Sequence, residues 1–325
     1  MHVKPGANLV NHFRRHVLKL GLLSATGAVA SQLLGRPAHA EATSTEGLTL
    51  GFSTYGMQQA KTEDAIKSLA AIGYDSVELC VRAGWDASSE QMPAARRQAV
   101  KQQLNDQGLR LTSLMEHLDL KRDAAAHRRD LERLRTACEL AHDLADPCPL
   151  VQSVLGGSGK WEDDKAWFPD RLADWAALAA KTKTIIAIKP HRGGSVSQPS
   201  EAVWLFEKLQ RPQWLKMVYD YSHYAFRDLP LDETVRIALP YTAHVAAKDV
   251  KLEGKNAVFA LAGETGAVDF PRLLRLLYDG GYRGDINCEV SMMISGRPNY
   301  SPQAAAETCY RNVSAAFEKA QVARR

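Results

Sequence analysis

The chain has 325 residues, 45% hydrophobic and 24% charged, an ordinary globular composition with enough material for one large domain or two small ones. Its formal net charge of +4 comes from the first 40 residues, which hold five of the 41 basic side chains (Lys4, Arg14, Arg15, Lys19, Arg36) and no acid. Beyond them 36 bases face 37 acids, a balance of −1 that excludes an extended basic surface for nucleic acid.

The first element in chain order is the leader. Arg14-Arg15 precede Val17, Leu18 and Lys19; a weakly apolar, Gly/Ala/Ser-rich run follows, and Ala38-His39-Ala40 forms an A-x-A cleavage pattern. The run is too short and its residues too small for a spanning helix, so no stable membrane anchor is expected. The pattern predicts a twin-arginine export signal over residues 1–40 and a periplasmic or secreted chain beginning near Glu41.

From Leu48 onward, β-rich runs alternate with helical ones. The predicted strands are Leu48–Ser53, Ser76–Cys80, Leu109–Glu116, Pro149–Leu155, Thr184–Ile188, Lys216–Asp220, Thr242–Lys248 and Asp285–Val290. Between them, segments such as TEDAIKSLAAIG carry apolar residues at helical spacing, with Thr62 as the expected N-cap and Gly73 as the stop. Eight such units over residues 41–325 predict a single-domain α/β protein, a (β/α)8 TIM barrel. No G-x-G-x-x-G follows the first strand, which disfavours a dinucleotide-binding sheet. Five cysteines without a CxxC pair, two of them (Cys80, Cys288) in predicted strands, point to buried free thiols.

In such a barrel the chemistry sits at the C-terminal strand ends. His117, His191 and His223 fall at or just past the ends of strands three, five and six, His244 lies within strand seven, and His127 and His142 fall in helices. Glu78, Glu116, Asp220 and Glu289 mark the ends of strands two, three, six and eight. Lys189 and His191, two apart, share a face, as do His244, Ala246 and Lys248. Asp220 and Glu289 follow apolar strand residues, and because an unpaired buried carboxylate is costly, something cationic must face them: a metal, Lys189, or both. Tyr55, Tyr221 and Tyr224 are aromatic candidates for a sugar pocket, and GGSGK (156–160) before Trp161 is a candidate lid without the ending of a phosphate P-loop.

VYDYSHY (218–224), HVAAKD (244–249), GYRGDINCEVS (281–291) and IKPHRGG (188–194) resemble the xylose isomerase-like TIM-barrel superfamily of sugar phosphate isomerases and epimerases, over about Leu48 to Ala320. The resemblance implies a small sugar substrate and a divalent metal held by Glu, Asp, His and Glu from strands five to eight. Asp220 and Glu289 match two ligands, His223 a substrate-contacting histidine, and Lys248-Asp249 the usual pair after strand seven. The strand-five ligand is Lys189 here and the strand-seven ligand is Ala246.

Two arrangements follow. Either Lys189 supplies the charge a metal supplies elsewhere, or His191, Asp220 and Glu289 form a rearranged, weak site of the Mn, Zn or Fe class. The expected catalytic residues are Lys189, His191, Asp220, His223 and Glu289; the expected substrate contacts are Glu78, His117, Arg192, His244 and Lys248. The expected activity is isomerisation, epimerisation or β-elimination of a carbohydrate or polyhydroxy carbonyl through an enediolate-like intermediate, against the alternative of a carbohydrate-binding barrel without catalysis.

Overall fold

The computed structural model describes residues 47–155, 159–254 and 256–325. The expected leader, and residues 156–158 of the expected lid, lie outside the described residues. Strands β1 (Thr49–Ser53), β2 (Ser76–Cys80), β3 (Arg110–Met115), β4 (Leu150–Leu155), β5 (Ile186–Pro190), β6 (Leu215–Tyr219) and β7 (Thr242–Ala247) follow one another in sequence. An antiparallel hairpin, β8 (Asp249–Glu253) and β9 (Asn256–Ala260), intervenes before β10 (Asp285–Cys288). The barrel closes in the order β1-β10-β7-β6-β5-β4-β3-β2 with every neighbouring pair parallel, so the (β/α)8 expectation holds.

The hairpin is an addition to the expected elements. Residues DVKLE and NAVFA are two short runs between strand seven and the helix beginning at Phe270. Asp249 anchors its base: the carboxylate accepts the backbone N–H groups of Val250, Thr265, Gly266 and Val268, at 2.8, 2.8, 3.0 and 3.2 Å. The chain leaving β7 and the chain returning to the barrel are thereby pinned to one side chain.

Eight principal helices cover the outside: Thr62–Ile72, Ala94–Asp106, Ala124–Leu144, Phe168–Thr182, Pro199–Lys208, Leu231–Ala238, Phe270–Asp279 and Pro302–Ala320. Their apolar stripes meet the outward-facing strand residues, among them Leu50, Phe52, Leu79, Ile186, Met217 and Ile286, in one continuous buried core. The first helix corrects a detail. Thr62 is its first residue, not its N-cap, and the orphan N–H of Thr62 is accepted at 2.8 Å by Asp86, from the segment after β2. Cys80 and Cys288 are buried free thiols, as expected.

The barrel interior is only partly filled with apolar side chains: Leu150, Ala187, Val218 and Ala246 cluster on β4 to β7, while polar groups fill the rest. At its N-terminal end Asp285, 3% exposed, accepts from Thr49 Oγ1 (2.7 Å), Thr112 Oγ1 (3.0 Å), Asn287 Nδ2 (3.1 Å) and Ser76 Oγ. Gly51 makes this possible: a Cβ there would lie 2.5 Å from Ser76 Oγ, 2.6 Å from Asp285 Oδ2 and 2.9 Å from Asn287 Nδ2. Gly51→Ala should therefore destabilise the fold by about 1–3 kcal/mol through overpacking. Urea unfolding measures this, and an unchanged midpoint would show that the network yields freely.

Candidate active site

The register brings four charged side chains to the C-terminal mouth on four consecutive barrel strands. Lys189 stands on β5, Asp220 one residue past β6, Lys248 one past β7 and Glu289 one past β10. Their signs alternate in that order. Lys248 Nζ lies 2.5 Å from Asp220 Oδ2 and 2.7 Å from Glu289 Oε1. Lys189 Nζ pairs closely with Glu289 Oε2 and lies 3.8 Å from Asp220 Oδ2. The result is a closed ring of two ammonium and two carboxylate groups, none of the four residues more than 6% exposed.

Each carboxylate is held ionised. Burial alone would raise both carboxyls, but Lys248, with Lys189, holds Asp220 well below the ordinary range, and Lys189 and Lys248 do the same for Glu289. Conversely, burial would lower the Lys248 ammonium, but Asp220 and Glu289 raise it above its usual value, which keeps Lys248 charged and unsuited to Schiff-base formation. Asp220 Oδ1 is also held by Ser222, whose hydroxyl and backbone N–H donate at 2.6 and 3.2 Å. One inward step below the ring stand Ala187, Val218 and Ala246, under Lys189, Asp220 and Lys248, and the buried Asn287 under Glu289.

Two imidazoles cover one side. The rings of His191 and His223 lie 4.2 Å apart, centroid to centroid, and His223 Nε2 approaches Asp220 Oδ2 to 3.2 Å without hydrogen-bond alignment. Burial, with the neighbouring His223, Lys248 and Lys189, pushes His191 down to about 3; burial likewise takes His223 to about 4. Both rings are neutral at pH 7. Phe259, from β9, closes the top: its ring centroid is 5.0 Å from that of His223 and 4.9 Å from Lys248 Nζ. Beneath it lies a cavity of about 50 Å³ bordered by Lys189, Lys248, Glu289, His191, His117 and Tyr55.

Of the expected substrate contacts, His117 and Lys248 border this cavity. His117 takes a positive φ of 59°, and burial pushes its ring down to about 4. The other three expected contacts do not border it. Glu78 and His244 are each 1% exposed inside the barrel, with His244 Nε2 3.4 Å from Glu78 Oε2 and Ser53 donating to Glu78 at 2.6 Å; both point into the stave-lined interior, away from the mouth. Burial favours a raised Glu78 carboxyl, but His244 and Ser53 outweigh it. Arg192 is a wall residue: its guanidinium packs 4.0 Å from the Phe259 centroid and donates to Ala257 O at 2.6 Å. Among the aromatic candidates Tyr55 reaches the cavity, whereas Tyr224 is wholly buried and Tyr221 donates to Leu229 O. Glu116 pairs with Arg133 and lies outside the cavity, where burial pushes it up to about 7.

The metal ligand set implied by the resemblance is not assembled. Two of its four positions are Lys189 and Ala246, and the carboxylates at the other two share ammonium groups. A divalent ion placed among them would face both ammoniums, at roughly 8 kcal/mol of repulsion each for 4 Å and an effective dielectric near 20. The rearranged set of His191, Asp220 and Glu289 fails for the same reason, and among the described residues no three His, Cys, Asp or Glu side chains are grouped to hold a metal. Phe259 is the site residue that sequence reasoning missed; no local signal in NAVFA ties it to a strand-end cluster that it reaches only through the hairpin.

A closed eight-stranded β/α barrel with its convergent charged side chains at the C-terminal mouth defines a class in which small-molecule chemistry is built on strand ends. A family model described as xylose isomerase-like TIM barrel matches residues 66–312, and the chain belongs to that family. A putative hydroxypyruvate isomerase from Mus musculus is 33% identical over 91 residues, 28% of this chain and 30% of that protein; the matched stretch thus spans under a third of the relative. Among solved structures, a D-psicose 3-epimerase determined in the presence of D-fructose superposes with a TM-score of 0.67 at 13% identity, over 84% of this chain and 99% of that one. The IolI protein with a bound zinc atom gives 0.66 at 17%, over 84% and 98%. At these identities the structural matches speak for the fold.

Two tests follow from the ring. Lys248→Met strands Asp220 beside Glu289 and should cost about 3–5 kcal/mol in chemical denaturation, whereas an exposed Lys→Met change should cost far less. The pH dependence has a definite sign. His117, His191 and His223 stay neutral in the folded chain down to about 4 or 3, while unfolded histidines take up protons below about 6.5. Protons therefore favour the unfolded chain at these three rings, while Glu116, raised to about 7 by burial, opposes one of them over the same window; on balance stability falls as pH drops from about 6.5 to 4, by at most about 1.4 kcal/mol per pH unit for each imidazole not so offset. Below about 4 the depressed carboxylates add a further loss. His191→Asn should make the upper part of the decline shallower; an unaltered slope would mean that this ring titrates normally.

Proposed function

We propose that the chain is an exported sugar isomerase- or epimerase-like enzyme that moves a proton between neighbouring carbons of a polyhydroxy carbonyl compound and uses its own ammonium groups where relatives use a metal. The observation that carries this reading is the alternating ring Lys189–Glu289–Lys248–Asp220 at the barrel mouth, bordering a small cavity. Family membership and the curated isomerase relative support the reaction class. Elimination from an oxidised sugar, a lyase reaction, starts from the same proton abstraction.

Removing a proton from the carbon beside a carbonyl places negative charge on the carbonyl oxygen. Lys189 and Lys248 both border the cavity and each carries three N–H donors, so both can direct one toward that oxygen in a dry site. Glu289 is the carboxylate that borders the cavity, and it is the group assigned to take the proton. In the resting site its basicity is suppressed by the lysines. Once those donors turn to the developing oxyanion the suppression weakens; in isomerisation the proton is then returned from Glu289 to the neighbouring carbon while that carbon's hydroxyl proton passes to the former carbonyl oxygen, so that carbonyl and hydroxyl exchange places. Asp220 holds Lys248 in place. His191, neutral, is positioned to accept a substrate hydroxyl.

The test is a turnover screen of purified, chelator-treated protein on ketoses, 3-keto-glycosides and hydroxypyruvate. Turnover should survive chelation and fall about 10²–10³-fold in Lys189→Met, the loss expected for one oxyanion donor. Saturable sugar binding without turnover would favour the non-catalytic barrel. Export rests on Arg14-Arg15 and Ala38-His39-Ala40; replacing both arginines by lysine should retain the protein in the cytoplasmic fraction, and unchanged periplasmic recovery would defeat that part.

A further inference from the structure

The end of the barrel opposite the charged ring holds a larger space. A cavity of about 460 Å³ opens there among the N-terminal strand ends: Thr49 begins β1, Arg110 begins β3, Ala243 and His244 stand near the start of β7, and Gly284 precedes β10. That volume lies within the range of roughly 300–1,000 Å³ typical of small-molecule sites. Reaction chemistry in this fold belongs to the other face, so what this pocket offers is binding.

Its lining is graded. Leu104 and Leu109 from the end of the second helix and the turn after it, Leu144 from the end of the third, and Pro147 and Pro149 before β4 form an apolar middle. At the outer rim stand two guanidinium groups. Arg110 is exposed and, among the described residues, its side chain makes no hydrogen bond or ion pair. Arg325, half-buried, donates to Arg283 O at 2.6 Å. Burial and the Arg110 charge both hold the Arg325 guanidinium below its ordinary value, so the two cations stand within range of each other. Two acids also border the pocket. Asp285, at the inner end, is already engaged by Thr49, Ser76, Thr112 and Asn287, and Asp146 lies exposed on the lip, paired with neither arginine. His244 borders the inner end as well. It is 1% exposed, and its Nδ1 has no hydrogen-bond partner among the described residues. A buried polar atom left in that state costs stability unless something satisfies it.

We propose that this pocket is a second ligand site, for a small organic acid with an apolar body and a hydroxyl at its far end. The carboxylate lies at the rim, where Arg110 lacks a counterion and is set beside a second cation. The body lies against the leucines and prolines. The hydroxyl, which can donate or accept, meets His244 Nδ1 in either tautomer of the ring. A carboxylate at the inner end would face Asp285, and this fixes the direction in which the acid enters. The site is independent of the isomerase-type reading above, because it lies at the other end of the barrel.

The test titrates the full chain with 3-(4-hydroxyphenyl)propionate and with tyramine, which has a similar body and the opposite charge. Calorimetry should show saturable binding of the acid, with tyramine about tenfold weaker or more. Arg110→Met, at an exposed position without partners, should weaken the acid about tenfold and leave thermal unfolding unchanged. Cys148 gives a second readout, since it borders the pocket and the other four cysteines are buried. At about ten times its Kd the acid should slow alkylation of Cys148 about tenfold, and tyramine at the same concentration should do so far less. Equal binding of acid and amine, or an Arg110→Met chain that holds the acid as tightly as the parent, would overturn the site. So would an acid that neither binds saturably nor protects Cys148. None of these results bears on the isomerase reading, which is judged by turnover.

Discussion

Two buried carboxylates at one barrel mouth impose the constraint on which the site depends. Asp220 is wholly buried and Glu289 nearly so, and neither can stay ionised there without a cation in contact. The fold answers with Lys189 and Lys248 from the intervening staves, so that each like-charged pair is separated by an opposite charge. Removing any one member leaves a buried charge uncompensated, which is far worse than exchanging the whole ring for apolar side chains would be. The ring is thus coupled as a unit.

Polarity continues down the barrel in tiers. The ring occupies the mouth, Glu78 with His244 and Ser53 the middle, and Asp285 with its hydroxyl and amide donors the base. The main apolar core lies between staves and helices, and a smaller cluster of Leu150, Ala187, Val218 and Ala246 lies inside the barrel. A polar axis of this kind is stable because its charged groups find partners inside the cylinder, and because Gly51 leaves room for the lowest of them. The hairpin after β7 adds a wall to the mouth without disturbing the barrel, since Asp249 ties its two ends together.

Much of this was legible from local pattern. Alternation of β-rich and helical runs located all eight barrel strands within a few residues, because each strand and each helix repeats its apolar side chains with its own period. The need for positive charge opposite Asp220 and Glu289 followed from their apolar predecessors. Thr62, His244 and Lys248 show where such reasoning stopped. The capping oxygen for Thr62 comes from Asp86, from the segment after the next strand. His244 points into the barrel beside Glu78, and no spacing rule states how deep a strand residue sits. Lys248 stands between both carboxylates, a position that depends on the order of strands around the cylinder.

The sequence by itself determined the class of fold, the end of the barrel where titratable groups gather and the replacement of two metal-ligand positions by Lys189 and Ala246, because these are properties of residue type and of short-range period. Tertiary structure alone decided that the two lysines and two carboxylates close into a ring, that Phe259 roofs it, and that Glu78 and His244 lie inside the barrel. Those outcomes depend on strand register and on side chains 100 or more positions apart meeting in space, as Lys189 and Glu289 do, and no local pattern encodes such a meeting.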